Sequence, residues 1–421
     1  MSEELLDRLR RLGVTRGTRA LKPAAPRARS NRYLEEASLA LEQQFPGGHV
    51  EENALGAYFV VDAVYPQEHR HGPSALSSLL TLSPELAAPY CGDERLATLD
   101  FRDFVFLDTE TTGLHGAGTV AFLVGIAFFD RQAESEAFIV RQFFLRDHGD
   151  EAAMLHALDE LLATRAGLVT FNGRTFDLPL LSNRYLMNQL PGDPRSLPHI
   201  DLLPLSRRLW RRRVGSVALS NLETAVLGIR RTGADVPGWL IPTIYTDYLR
   251  SHDTRELGRV FYHNEVDLLS MVTLADYQIR LLNRSLPNCN PIDVYSLGKW
   301  QADIGMATAA EATLSDVVRQ DLPLSLYHEA LARLALLFKR QGRYEEAAPL
   351  WQQWAATTFD SVDAHVELAK YFEWQAGDLE AAVRWTRRAL DLVDGWPQMQ
   401  AQLQRPELLH RLDRLQRKLV E

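Results

Sequence analysis

An apolar run of strand composition ends in two carboxylates one residue apart at Phe104-Val-Phe-Leu-Asp108-Thr-Glu110, and Thr-Thr-Gly-Leu114 follows as a turn. Side chains alternate across a strand, so Asp108 and Glu110 project to one face and Thr109 to the other. Two acids on one face at a strand end repel each other unless cations lie between them. A surface strand that merely ends in acids has the same local pattern. The choice rests on what further acids the chain brings to that place.

The 421 residues suffice for two or three domains, at roughly 100–200 residues each. No apolar run approaches the roughly 20 residues of a membrane span. No signal-peptide core follows the N-terminus, and Glu3, Glu4 and Asp7 argue against an organelle transit peptide. Cys91 and Cys289 are the only cysteines, too few for a disulfide framework or a four-ligand zinc site, and they fit a reducing cytoplasm. A net charge of −9 excludes a chain coated in phosphate-binding charge. It does not exclude a nucleic-acid enzyme, which needs only a local basic track. Bound divalent cations would also reverse the local sign at an acidic site.

Residues 1–32 read as a mobile basic arm. An amphipathic segment at 3–12 precedes an acid-free stretch from Arg16 to Arg32, whose functional reading is contact with a polyanion. Residues 33–99 read as an N-terminal elaboration packed on the next domain, with a helix near Tyr33–Gln44 and a strand at Gly56–Tyr65. A regular domain spans 100–285. Strands are expected at 103–109, 119–129, 136–145 and 167–171, and helices near 150–164, 177–190, 201–213, 219–227 and 254–282. Three strands suited to a meander, then helix–strand–helix, imply a mixed sheet flanked by helices.

The remaining part, 295–421, contains an internal repeat. Leu334-Ala335 recurs as Leu368-Ala369, Ala347 as Ala381, Trp351 as Trp385 and Ala355 as Ala389, each 34 residues on. This resembles tetratricopeptide repeats, paired helices with small residues where they touch and aromatics between. A degenerate unit at 297–325 and a capping helix at 405–420 would complete the array, and the tryptophans read as core.

Two further acidic sites follow the first. Phe171-Asn172-Gly-Arg-Thr-Phe176-Asp177 lies at a strand-to-helix junction, where Asp177 could be no more than a helix cap. On a helix, His263 and Asp267 in Phe261-Tyr-His-Asn-Glu-Val-Asp267 share a face at i, i+4. An imidazole beside a carboxylate suits a general base.

In this order, Asp108-x-Glu110, Asn172-(x)4-Asp177 and His263-(x)3-Asp267 resemble the three motifs of the DEDD superfamily of 3′–5′ exonucleases. The resemblance spans about residues 100–282 and is nearest to a bacterial branch with tetratricopeptide-like helices after the nuclease domain. It implies an α/β RNase H-like fold, a mixed five-stranded sheet flanked by helices, followed by an all-α repeat region. One spacing departs from the family. In its histidine class the base sits five residues before the last Asp, and in its tyrosine class a Tyr sits four before it. Here His263 has the tyrosine-class spacing and Tyr262 the histidine-class spacing. At about 100° per residue, four residues return His263 to within about 40° of Asp267, whereas Tyr262 lies about 140° away. Tyr262 reaches the site only if the helix starts after it, so His263 is the expected base.

The resemblance further implies two divalent cations, Mg²⁺ or Mn²⁺, held by Asp108, Glu110, Asp177 and Asp267 about 4 Å apart. Asp108 would bridge both, Glu110 and Asp267 hold the nucleophile-side ion, and Asp177 support the other. The product would be a nucleoside 5′-monophosphate released from the 3′ end of single-stranded DNA or RNA. The family places the terminal 3′-OH at the turn after Glu110, where Thr111 and Leu114 lie. Leu114 and Phe176 are either contacts to the last base or core, and Asn172 either orients substrate or closes its turn. Arg207 to Arg213 is the densest basic run, with Arg207 and Arg211 the expected backbone track and Asp201 a helix cap. The alternative is a non-catalytic scaffold that binds nucleic acid, or a protein partner through its repeats. A third reading makes the repeats a brace without a partner.

Overall fold

The computed structural model describes residues 41–113, 118–130 and 137–420. The basic arm, most of the segment 33–44 and Leu114 lie outside them.

A mixed sheet forms the centre. Its strands are β1 (Gly48–Asn53), β2 (Gly56–Pro66), β5 (Phe104–Thr111), β6 (Ala121–Asp130), β7 (Ala137–Phe144), β8 (Gly167–Thr170) and β9 (His199–Asp201). A separate two-residue ladder, β3 (Arg70–His71) with β4 (Ser74–Ala75), lies outside it. The order is β1-β2-β7-β6-β5-β8-β9. β8 runs parallel to both β5 and β9, and the other pairings are antiparallel. The sheet therefore has seven strands, not five. β2 from the N-terminal elaboration pairs with β7 and carries β1 outside it, so 48–66 extends the sheet. β1 is polar and β9 is three residues long, so neither has the apolar run that betrays a strand.

β5 and β6 are central and buried almost throughout, β6 and the first half of β5 being apolar, as strands covered on both faces must be. Val105 and Leu107 pack with α1 (Glu151–Ala163), α2 (Asp177–Met187) and α4 (Ile241–Ser251). Phe104 and Phe106 pack on the other face with α3 (Leu202–Val214) and the long helix α5 (Leu257–Leu282). The segment 219–227, expected as one helix, breaks into an α-helical turn at Leu219–Leu222 and a wider π-type turn at Glu223–Leu227.

The C-terminal region is all helical: α6 (Pro291–Asp303), α7 (Ala307–Val317), α8 (Leu324–Arg340), α9 (Tyr344–Thr357), α10 (Asp363–Trp374), α11 (Leu379–Asp394) and α12 (Gln398–Val420). Each helix packs on the next, and α6 also packs on α3 of the sheet domain. The repeated Ala335, Ala369, Ala347, Ala381 and Ala389 are all buried, because only a small side chain lets neighbouring helices approach there. Trp351 is buried and Trp385 half-buried in contact with the same core. No helix among the described residues is long and apolar enough to cross a membrane.

Candidate active site

Asp108 and Glu110 leave β5 on the side of the sheet that α5 covers. The ladder with β6 shifts register between Glu110 and Thr111, a bulge that ends regular pairing at the acids. Thr111 is buried, and its hydroxyl donates to the Gly113 carbonyl at 2.8 Å, which closes the turn. Asp108 lies opposite Gly125 on β6. The buried Asn264 of α5 fills the room this glycine leaves. Its Nδ2 donates to Asp108 Oδ2 at 2.8 Å, and its Oδ1 accepts from Gln142 Nε2 at 2.8 Å. A Cβ on residue 125 would come within 2.0 Å of Asn264 Oδ1. Gly125→Ala should therefore cost about 1–3 kcal/mol by overpacking. Denaturant melts check this, and in an Asn264→Ala background the cost should shrink.

Asp177 opens α2, and Thr109, on the opposite face of β5 from Asp108, donates its hydroxyl to Asp177 Oδ1 at 2.5 Å. Asn172 has left-handed backbone (φ 73°), and its Oδ1 accepts from the Thr175 hydroxyl at 2.7 Å. Its side chain thus closes the turn. Asp201 caps α3, as expected, and also accepts from the backbone N–H groups of Asn172 (2.8 Å) and Arg174 (3.2 Å). The Arg-rich helix is thereby tied to the turn before Asp177. Phe176 is half-buried and joins none of the hydrophobic clusters among the described residues.

His263 and Asp267 project together from α5. His263 Nε2 lies 3.7 Å from Asp267 Oδ2 and 4.0 Å from Glu110 Oε1. Its Nδ1 lies 2.7 Å from Asp235 Oδ1 and 3.3 Å from Arg231 Nη1; the shorter contact, to a carboxylate, keeps the Nδ1 proton toward Asp235 and leaves Nε2 facing the acids. α5 begins at Leu257, upstream of Tyr262, so the condition for Tyr262 to reach the acids is not met. Its phenol oxygen instead accepts from the Thr232 hydroxyl at 2.9 Å.

Three side chains of this site carried no signal in the sequence reading. Asp235 is one. Arg231 donates to both oxygens of the buried Glu223 at 2.7 Å, and also to Asp267. Glu223 in turn accepts from Ser270 at 2.6 Å. Asn264 is the third, a polar residue between His263 and Asp267 whose role depends on the β6 register. Only the acid and arginine pairings of the polar loop 228–237 could have hinted at the first two.

Burial raises the carboxyl pKa of Asp108 well above the ordinary range, and the charges of Asp267, Glu110 and Asp177 add to it. Glu110 is raised likewise, by burial and then by Asp267 and Asp177. Burial lifts Asp177 to about 6 against the Thr109 hydrogen bond. Asp267 is also raised by burial, with Arg231 and His263 opposing. For Arg231, burial opposes the charge, but Glu223 and Asp267 outweigh it and hold its pKa above the usual arginine range.

This set is rich in negative charge and offers hard oxygen donors, the chemistry that Mg²⁺ or Mn²⁺ needs. No three His, Cys, Asp or Glu side chains among the described residues are drawn into a ready-made cage. The acids are near enough to raise one another's pKa, and Arg231 partly neutralises one of them. Raised folded-state pKa values mean that the folded chain retains protons the unfolded chain has released. Their stabilising contribution is full below the ordinary carboxylate range and lost as pH rises through about 6 and beyond. Relative to Asp108→Asn, in which that contribution is smaller, metal-free protein should thus lose thermal stability from about pH 4 upward through that window. Mg²⁺ or Mn²⁺ at about 100 times its Kd should restore about 2.7 kcal/mol. Thermal melts with and without EDTA measure both.

Comparison with known proteins agrees with this architecture. The RNase H superfamily profile matches residues 105–279, which contain all four acids and His263. The chain is also 32% identical over 338 residues to the uncharacterized protein YprB of Bacillus subtilis (strain 168), covering 77% of this chain and 78% of that protein.

Proposed function

The chain belongs to the family that includes YprB and carries an RNase H-superfamily domain, and on that premise we propose that it is a metal-dependent 3′–5′ exonuclease acting on single-stranded nucleic acid. One observation carries the reading: Glu110 Oε1 and Asp267 Oδ2 lie 4.0 and 3.7 Å from the Nε2 of His263, with Asp108 tied to the same helix through Asn264 and Asp177 to the same strand through Thr109. Those four carboxylates would hold two divalent cations, which supply Lewis acidity at the phosphate and favour ionisation of water. His263 Nε2, 4.0 Å from Glu110 and 3.7 Å from Asp267, would take a proton from a water held beside them. Asp235 orients the ring and stabilises it once protonated. Asn264 and Thr109 fix Asp108 and Asp177 by hydrogen bonds that leave other carboxylate lone pairs free.

In this reading the product is a nucleoside 5′-monophosphate. Phe176 and Leu114 contact the terminal nucleotide, and Arg207 and Arg211 follow the backbone. Asn172 shapes the turn. The C-terminal helices form a tetratricopeptide-like array, open to a protein partner, and the two free cysteines suit a cytoplasmic enzyme. The test is incubation of purified protein with 3′-labelled single strands and Mn²⁺. Release of labelled mononucleotide is expected, and strands left intact with either metal would contradict the proposal.

A second reading, a non-catalytic binding scaffold, is favoured by one contact. Arg231 occupies Asp267, as a built-in counter-cation would. Under that reading Mg²⁺ and Mn²⁺ produce no stabilisation, although single strands still bind.

A further inference from the structure

A pocket of about 350 Å³ lies where α3 meets α6, the first helix of the C-terminal region. Arg207, Arg208, Arg211 and Arg212 line it from α3 and Lys299 from α6; Asp303 is the one acid in its lining. That acid is already engaged, by Arg333 at 2.9 Å and more loosely by Arg208 at 4.0 Å. Arg212 is paired with Glu329 at 3.1 Å and lies over the Tyr295 ring. Arg207, Arg211 and Lys299 have no carboxylate in ion-pair contact among the described residues.

The imbalance is local. The chain has 55 acids against 46 lysines and arginines, and other half-buried arginines are matched, Arg213 by Asp293 and Arg343 by Glu311. Burial and the charges of Arg212 and Arg333 depress the Lys299 pKa, as expected of a cation held among cations. A pocket lined in this way is stabilised by an anion with several acceptor oxygens. Guanidinium forks match phosphate oxygens pairwise, and an ammonium adds a point charge.

Its position suits a polymer better than a free anion. α3 is anchored by Asp201 to the turn that leads to Asp177. At 1.5 Å rise per residue, Arg207 and Arg211 stand roughly 9 and 15 Å along the helix from that anchor. Such reach lies within a single-strand site of about 4–16 nucleotides.

We propose that this pocket binds a backbone phosphate of the single strand, upstream of its 3′ end, and that Lys299 makes the helical region part of the substrate-binding surface. The proposal rests on the exonuclease reading for the polarity of the strand, but not for the binding itself.

The test uses the full-length protein in EDTA, which prevents cleavage, and follows fluorescence anisotropy of a labelled 12-nucleotide single strand across a salt series. Lys299→Gln and Arg211→Gln should each weaken binding about tenfold near 0.1 M salt and reduce the salt slope by about one. Lys299→Arg should keep most of the affinity, which separates lost charge from lost packing. Affinity within twofold of the parent and an unchanged slope in both Gln variants would overturn the proposal. Tight binding of inorganic phosphate that does not compete with the strand would also overturn it, and would mark a free-anion site. If the parent protein releases no nucleotide with metal, yet the Gln variants lose binding, the pocket stands and the exonuclease reading fails.

Discussion

Replacing Asp108 by Asn should lower metal-dependent release of nucleotides by roughly a thousandfold, about 4 kcal/mol of transition-state stabilisation. Asp108 is buried among other acids, with Asp267, Glu110 and Asp177 all raising its pKa. The same replacement removes one charge from an overcharged cluster. Metal-free Asp108→Asn should therefore melt at or above the wild-type temperature at pH 7 to 8, and should lose most of the Mg²⁺ or Mn²⁺ stabilisation. That combination separates lost chemistry from lost folding. A variant that melts lower and cleaves less would indicate only damage, and one that cleaves normally would remove Asp108 from the mechanism.

His263→Ala should reduce kcat by about 10²–10⁴-fold, the usual contribution of a positioned acid or base. Tyr262→Phe should leave it within a few-fold, because its phenol is engaged by Thr232 and not by the acids. Asp235→Asn should fall between them, about 10–100-fold, as expected of a group that orients a functional imidazole. Its amide still accepts from Nδ1 but offers no charge to the imidazolium. Single-turnover assays at saturating strand separate kcat from binding. The opposite ranking, with Tyr262→Phe crippled and His263→Ala active, would exchange the roles of the two residues.

The acids were legible in the sequence because each stands at a place with a local rule. Alternation on β5 puts Asp108 and Glu110 together, a strand-to-helix junction carries Asp177, and a helical turn joins His263 to Asp267. The apolar centre of the sheet was legible for the same reason. What escaped depends on partners remote in the chain. Asn264 acts on Asp108 from 156 residues away, and only because Gly125 is in register opposite that acid. Asp235 and Arg231 sit in a polar loop without periodicity, where nothing local marks which side chain turns inward. β1 and β9 take their pairing from neighbours rather than from their own composition. Likewise, the run from Arg207 to Arg213 showed a basic helix, but not that Lys299 would face it from another part of the fold.

The central claim is that the four acids support cleavage from a 3′ end. Its most direct measurement is a time course with 5′-labelled single strands, DNA and RNA in matched sequence, carrying either a free or a blocked 3′ end. Wild-type protein with Mn²⁺ should shorten the free-ended strands one nucleotide at a time, leave the blocked ones intact, and do neither once Asp108 is Asn. Internal cuts in both kinds of strand, or a ladder that persists in Asp108→Asn, would contradict the account.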